Sequence, residues 1–227
     1  MLKSYWSKIL KYVFKKTNYK HGVRMEFKEI EYKYWASISK EEFMEKIERA
    51  VMRDNHGAID PPLYVVSCDD YYNKMDGDEK DFVRFRKGGG NYELTLKRKE
   101  RDNVVRKEIN LNVSDNEDSA IVEFLTLSGY SKSFQVYKEA WIWHTDDCVL
   151  SYYTLSDGRS VIELEALNPQ SVKSGVDTIN NWHELLNLGS LEKESRSLYE
   201  IFCEESEGED DDESFDYRKI LDKISDQ

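Results

Sequence analysis

Five segments of this chain alternate apolar and charged residues, and that period-two pattern restricts the fold more than any other feature. The first is Glu29-Ile30-Glu31-Tyr32-Lys33. Successive side chains of a strand point to opposite faces, so Glu29, Glu31 and Lys33 share one face while Ile30, Tyr32 and Tyr34 take the other. The pattern returns where Arg84 and Arg86 oppose Val83 and Phe85, and where Glu93, Thr95, Lys97 and Lys99 oppose Leu94 and Leu96. It returns again where Arg106, Glu108, Asn110 and Asn112 oppose Val105, Ile109, Leu111 and Val113, and where Glu163 and Glu165 oppose Ile162 and Leu164. Two geometries satisfy such strands. The apolar faces can form an ordinary core with the charged faces in water. Alternatively the apolar faces pack outward against helices and the charged faces line a barrel. Eight strands enclose room for one small ligand. Charges buried there must be paired, hydrated or bound to ions. A polyanion with a divalent metal would satisfy both signs, bases on phosphate and carboxylates on the metal. The alternation alone leaves both geometries open.

The remaining punctuation places these segments in order. A first strand covers about residues 26–36. Ser39-Lys40-Glu41-Glu42 is a capping box, with Phe43, Ile47 and Val51 at helical spacing behind it. Asp60-Pro61-Pro62 stops that helix and launches a strand over 63–74. Strands are predicted over 82–87, 92–99 and 104–113. Gly88-Gly89-Gly90 lies between two of them and lacks the GK[ST] ending of a phosphate loop, so it reads as a hairpin turn. Ser114-Asp115-Asn116-Glu117 is a second candidate capping box, for a short helix over 120–127 ended by Gly129. Strands follow over 133–144, 148–154 and 160–167, then helices over about 170–187 and 191–204. Eight mostly antiparallel strands with intervening helices predict an α+β protein built on a barrel or strongly curved sheet.

The formal charge of −12 argues against non-specific nucleic-acid or membrane binding by the whole molecule. The charge is unevenly spread. Residues 1–24 hold seven basic residues and no acid, whereas 204–213 hold eight acids. The expected organisation is therefore a basic extension (1–24), a compact domain (25–203) and an acidic tail (204–227) able to carry a short helix over 215–224. The extension could form a basic amphipathic helix over 2–16, or a frayed or docked arm. Cys68, Cys148 and Cys203 form no CxxC pair, and His21, His56, His144 and His183 show no zinc-ligand spacing. No secretion signal or membrane-length apolar run is visible, so a cytoplasmic protein, monomer or homodimer, is expected. Trp141, Trp143 and Trp182 are read as core residues.

Glu29-x-Glu31-x-Lys33 resembles the ExExK signature of the CYTH, or triphosphate tunnel metalloenzyme, superfamily. Its companions occur in the family's order. Cys68-Asp69-Asp70-Tyr71-Tyr72 resembles the second strand, Val83-Arg84-Phe85-Arg86 the LRxR element and Leu94-Thr95-Leu96-Lys97 the LTxK strand. Arg106-x-Glu108 resembles the RxE strand, Ile162-Glu163-Leu164-Glu165 the late ExE strand and Arg196-Ser197-Leu198-Tyr199 the closing helix. The resemblance covers about residues 26–202 and implies an eight-stranded tunnel with a charged interior and helices outside. It implies a triphosphate substrate held by Lys33, Arg84, Arg86, Lys97, Arg106 and Lys138. Glu29, Glu31, Glu108, Glu163 and Glu165 would hold Mg2+ or Mn2+, and Glu29, Glu31 and Lys33 would stand at the chemistry. The implied activity is triphosphate hydrolysis; a class IV-type adenylyl cyclase and a non-catalytic nucleotide or polyphosphate binder are the alternatives. The chain departs from the family pattern at Asn110, Ala140 and Ser151, where an acid, an arginine and an acid are usual.

Overall fold

The computed structural model describes residues 28–53, 59–74, 81–88, 90–99 and 105–206. The predicted extension over 1–24, the acidic run beyond residue 206 and the helix over 215–224 lie outside them.

Nine strands and four helices are present among the described residues: β1 (Lys28–Trp35), α1 (Lys40–Arg53), β2 (Leu63–Lys74), β3 (Asp81–Gly88), β4 (Asn91–Lys99), β5 (Val105–Asn112), α2 (Asp118–Leu127), β6 (Tyr130–His144), β7 (Cys148–Leu155), β8 (Ser160–Ala166), α3 (Val172–Leu185), β9 (Lys193–Glu194) and α4 (Leu198–Ser206). The strands form one sheet in the order β5-β4-β3-β2-β6-β7-β8-β1-β9. β1 also pairs with β5, through Lys28↔Lys107, Glu29↔Arg106 and Ile30↔Val105. That pairing joins the two ends of an eight-strand sheet in which every neighbour is antiparallel. The two-residue β9 takes the rest of the same β1 edge, opposite Lys33 and Tyr34.

Packing selects between the two geometries the alternation allowed. Ile30, Tyr34, Leu150, Tyr152, Ile162 and Leu164 face outward, against Phe43, Ile47, Ala50 and Val51 of α1 and Ile179 and Trp182 of α3. Elsewhere Tyr72, Val83 and Phe85 pack against Ile121 and Leu125 of α2. These apolar faces are covered by helices, each fully buried aliphatic or aromatic side chain contributing about 1.5–3 kcal/mol, whereas Ile109 and Leu111 on the apolar face of β5 stay 42% and 53% exposed. By period-two geometry the charged faces line the interior.

The interior is not charged along its whole length. On the same inner faces Tyr71, Phe82, Val136, Tyr153, Leu155 and Val161 form an apolar cluster with Leu198, Tyr199 and Ile201 of α4. Phe82 and Tyr199 stack with ring centroids 4.6 Å apart, and Tyr71 stacks on Phe134 at 4.9 Å. α4 therefore covers one end of the barrel. Its start is a capping box: the Glu200 amide donates to Ser197 Oγ at 3.1 Å, while Glu200 Oε2 accepts from the Ser197 amide. Arg159 with Glu205 and Arg196 with Glu204 tie its far end down at 2.6 Å each.

Three local expectations change. The helix predicted over 191–204 is a turn, β9 and then α4, because the β1 edge captures Lys193 and Glu194. Ser114 caps no helix; it accepts the Tyr92 amide across the sheet at 2.8 Å, and Glu117 stands at the N-cap without a side-chain bond. A capping box that sequence reading passed over, Ser171/Ser174, opens α3. The other signals hold. Ser39 Oγ accepts the Glu42 amide at 3.1 Å, and Gly90, at φ +74°, turns the β3–β4 hairpin. Trp143 and Trp182 are buried in the core, Trp182 donating to Asp147 at 2.9 Å.

Candidate functional site

Three clusters of paired charges line the interior. In the first, Lys97 of β4 stands between Glu29 of β1 and Glu108 of β5. Its Nζ donates to Glu29 Oε2 at 2.8 Å and lies 3.1 Å from Glu108 Oε2. All three side chains are nearly buried, at 9–12% exposure. Glu108 Oε2 accepts no hydrogen bond, so its contact with Lys97 is charge attraction without alignment. Burial, then the neighbouring Glu31, raises the Glu29 carboxyl well above the usual range, against the pull of Lys97. Burial also opposes ionised Glu108, but Lys97 and a hydrogen bond from Glu29 hold that carboxyl well below it. The two carboxyls are thereby pushed apart, Glu29 towards its protonated form and Glu108 towards its ionised form.

The second cluster is centred on Lys33. Its Nζ donates to Glu31 Oε1 at 2.9 Å and pairs with Glu163 Oε2 at 3.2 Å, to which Tyr153 Oη donates at 3.1 Å. Burial, then Glu163, raises the Tyr153 phenol well above its ordinary value, so Tyr153 stays a donor. Across the β1–β8 ladder Lys33 lies opposite Glu163 and Glu31 opposite Glu165.

The third cluster joins β2, β3, β4 and β6. Arg86 donates Nε and Nη2 to the two oxygens of Asp69 at 2.7 and 2.9 Å, and Lys138 Nζ meets Asp69 Oδ2 at 2.7 Å. Arg84 donates Nη2 to Glu93 and Thr95, each at 3.1 Å, and its buried Nε has no partner. Asp69 is wholly buried. Burial alone would raise its pKa, but Arg86 and Lys138 hold it far below the carboxylate range. Burial, then Arg86, pushes Lys138 down to about 8.

Of the residues predicted from sequence, Glu29, Glu31, Lys33, Arg84, Arg86, Lys97, Glu108, Lys138 and Glu163 all lie in these clusters. Glu165 lies opposite Glu31 in the β1–β8 ladder and Arg106 opposite Glu29 in the β1–β5 ladder; the Arg106 side chain is outside the described set. Among the described residues no three acids are arranged ready for a metal. The five carboxylates expected to hold one are divided between Lys33, Lys97 and the β1–β8 ladder. Their chemistry nonetheless fits a hard divalent cation: carboxylate oxygens from three strands, among them the buried Glu108 Oε2 that accepts no hydrogen bond.

Glu93 and Thr95, on a charged strand face, and Asp69, within a motif, carried no site role in the sequence, and Tyr153 gave no signal. β2 is buried on both faces from Val66 to Tyr72 and so shows no alternation. The neighbour Asp70 points outward and pairs with Lys87 and Lys132 at 3.1 and 2.7 Å. The three departures from the family pattern sit together with these residues. Asn110 accepts from Thr95 at 2.7 Å, Ala140 packs against the apolar cluster and Ser151 lies opposite Glu163 in the β7–β8 ladder.

An antiparallel barrel lined by buried base–acid pairs and wrapped by helices defines the architecture. The chain belongs to the CYTH domain family, which it matches over residues 27–198. No curated protein matches it significantly. Among solved structures, a conserved hypothetical protein from Pyrococcus furiosus superposes with a TM-score of 0.62 at 18% identity, covering 76% of this chain and 99% of that one. A Pyrococcus horikoshii protein superposes at 0.62 and 17% identity, covering 76% and 98%. A Vibrio parahaemolyticus protein provisionally assigned as an adenylate cyclase superposes at 0.61 and 15% identity, covering 77% and 97%. These likenesses establish the fold. Among the described residues no helix is long and apolar enough to cross a membrane.

Proposed function

We propose that the barrel interior binds a triphosphate, inorganic or carried on a nucleoside or other organic group, and hydrolyses it with Mg2+ or Mn2+. The observation that carries this reading is the convergence of Lys33, Arg84, Arg86, Lys97 and Lys138, four of them less than a tenth exposed, on one enclosed inner face. Such a density of buried cation is costly without anions beside it. The glutamates now paired with Lys33 and Lys97 act as placeholders. An entering triphosphate exchanges with them, oxygen for oxygen, and frees carboxylates for the divalent ion. The guanidinium forks of Arg84 and Arg86 suit phosphate oxygens because they bind bidentately and stay charged. The family resemblance assigns Arg106, opposite Glu29 in the β1–β5 ladder, as a further base for the phosphate.

Glu29, Glu31, Glu108, Glu163 and Glu165 would hold the ion. Bound there, it supplies neutralisation of the phosphate oxygens and acidification of a water. A carboxylate of the Glu29–Glu31 pair accepts the proton of the attacking water as the P–O bond breaks. Lys33, held between Glu31 and Glu163, faces the charge that develops on the phosphate oxygens.

The test is product identification after incubating the protein with tripolyphosphate or ATP, with and without Mg2+ or Mn2+. Metal-dependent phosphate release supports the reading. Cyclic nucleotide plus pyrophosphate would replace it with cyclase chemistry. Tight binding without product would replace it with a binder.

A further inference from the structure

We propose that Asp69 is the positioning residue of the phosphate cradle, holding Arg86 and Lys138 against their mutual repulsion and keeping Lys138 a cation. This rests on the reading that the interior takes a triphosphate. β2 lies between β3 and β6 in the sheet, so one inward carboxylate reaches bases on both neighbours. Asp69 does so with both oxygens: Oδ1 accepts Arg86 Nε, and Oδ2 accepts Arg86 Nη2 at 2.9 Å and Lys138 Nζ at 2.7 Å. The guanidinium is planar, so this two-point grip fixes its orientation and leaves its remaining N–H donors for a ligand. The groups facing Lys138 are Asp69 from β2, Arg84 and Arg86 from β3, and from β7 the Tyr153 ring, whose centroid lies 5.2 Å from Nζ. Asp69 is the acid among them that favours the charged ammonium.

The balance there is narrow. Burial and two arginines pull Lys138 down to about 8 even with Asp69 present. Without the carboxylate three bases would share a buried corner, and the lysine is the one able to discharge. Below its titration Lys138 donates to phosphate as an ammonium; above it the donor charge is gone. Asp69 thereby sets the upper pH limit of the cradle. A residue that merely stabilised the fold would not move that limit.

The test measures tripolyphosphate binding by calorimetry from pH 6 to 9, in EDTA so that no turnover intrudes. Wild type, Asp69→Asn, Lys138→Arg and the double variant are compared; the ligand's own titration is common to all four. Wild-type affinity should fall as pH rises past about 8. In Asp69→Asn that limb should move down by at least about one pH unit, a loss of at least about fivefold at pH 8 but under about threefold at pH 6. Lys138→Arg should abolish the limb, and the double variant should regain binding at pH 8. Parallel profiles for wild type and Asp69→Asn, or an unmoved limb in Lys138→Arg, overturn the role of Asp69. If Asp69→Asn fails to fold, Lys138→Arg decides alone. Wild type that binds no tripolyphosphate overturns the proposed function instead, which separates the two failures.

Discussion

Lys97→Met isolates the electrostatic linchpin of the interior. The ammonium meets Glu29 at 2.8 Å and Glu108 at 3.1 Å, and is 7% exposed. Methionine keeps the stem's packing and removes the charge, leaving two buried carboxyls and no cation between them. Breaking a buried pair from one side costs about 3–5 kcal/mol, because the surviving charge has neither partner nor water. For a domain of this size each kcal/mol lowers Tm by about 2–4 °C, so a fall of about 6–20 °C is expected at pH 7. The variant's carboxyls titrate in the fold above their unfolded value of 4.5. The deficit is therefore smallest below that pH, where both are protonated in either state, and grows as pH rises through the raised folded values. A divalent cation binding the freed carboxylates should restore part of the loss by mass action. The assay is thermal unfolding from pH 4 to 8 with and without Mn2+. A variant within about 2 °C of wild type at pH 7, or a deficit flat with pH, refutes the assignment of Lys97 as their shared counter-ion.

Other substitutions probe separate parts of the account. Phe82→Ala, which removes a wholly inward ring from the stack on Tyr199, should cost about 3–5 kcal/mol in denaturant unfolding and loosen α4, seen as faster amide exchange in residues 198–206. Gly88→Ala places a Cβ 2.5 Å from the Val66 carbonyl oxygen, so the β2–β3 ladder must shift, at a cost of about 1–3 kcal/mol. Arg84→Ala and Arg86→Ala should each lower kcat/KM for tripolyphosphate at least about a hundredfold if they hold phosphate, with the Arg86 variant also destabilised because it strands Asp69.

The strands were legible in the sequence because five of them have one apolar and one charged face, and period-two alternation survives in each. Which face is inside was not, since an inward core and an outward core give the same alternation. What decided it was packing: Phe43 and Ile47 of α1 and Trp182 of α3 cover Ile30, Ile162 and Leu164. The resemblance of Glu29-x-Glu31-x-Lys33 and its companions to CYTH motifs pointed the same way. Asp69 was illegible for a physical reason. Both faces of β2 are buried, Asp69 against the interior bases and Asp70 against Lys87 and Lys132, so neither carboxylate stood out by pattern. The end of the barrel was misread because Leu191, Leu198 and Ile201 can share a helical stripe. The free edge of β1, a partner remote in sequence, draws residues 193 and 194 into a strand instead. Ser197-x-x-Glu200 marked the true helix start all along.

The central claim is that a triphosphate lies within the barrel, between the bases and the carboxylates. It is tested most directly by a crystal structure of the protein with tripolyphosphate and Mn2+, recorded at the manganese absorption edge. The account predicts phosphate density on the inner face against Arg84, Arg86, Lys97 and Lys138, with an anomalous peak beside carboxylates of the Glu29, Glu31, Glu108, Glu163 and Glu165 set. Density confined to the outer surface, or a manganese peak away from those carboxylates, would contradict it.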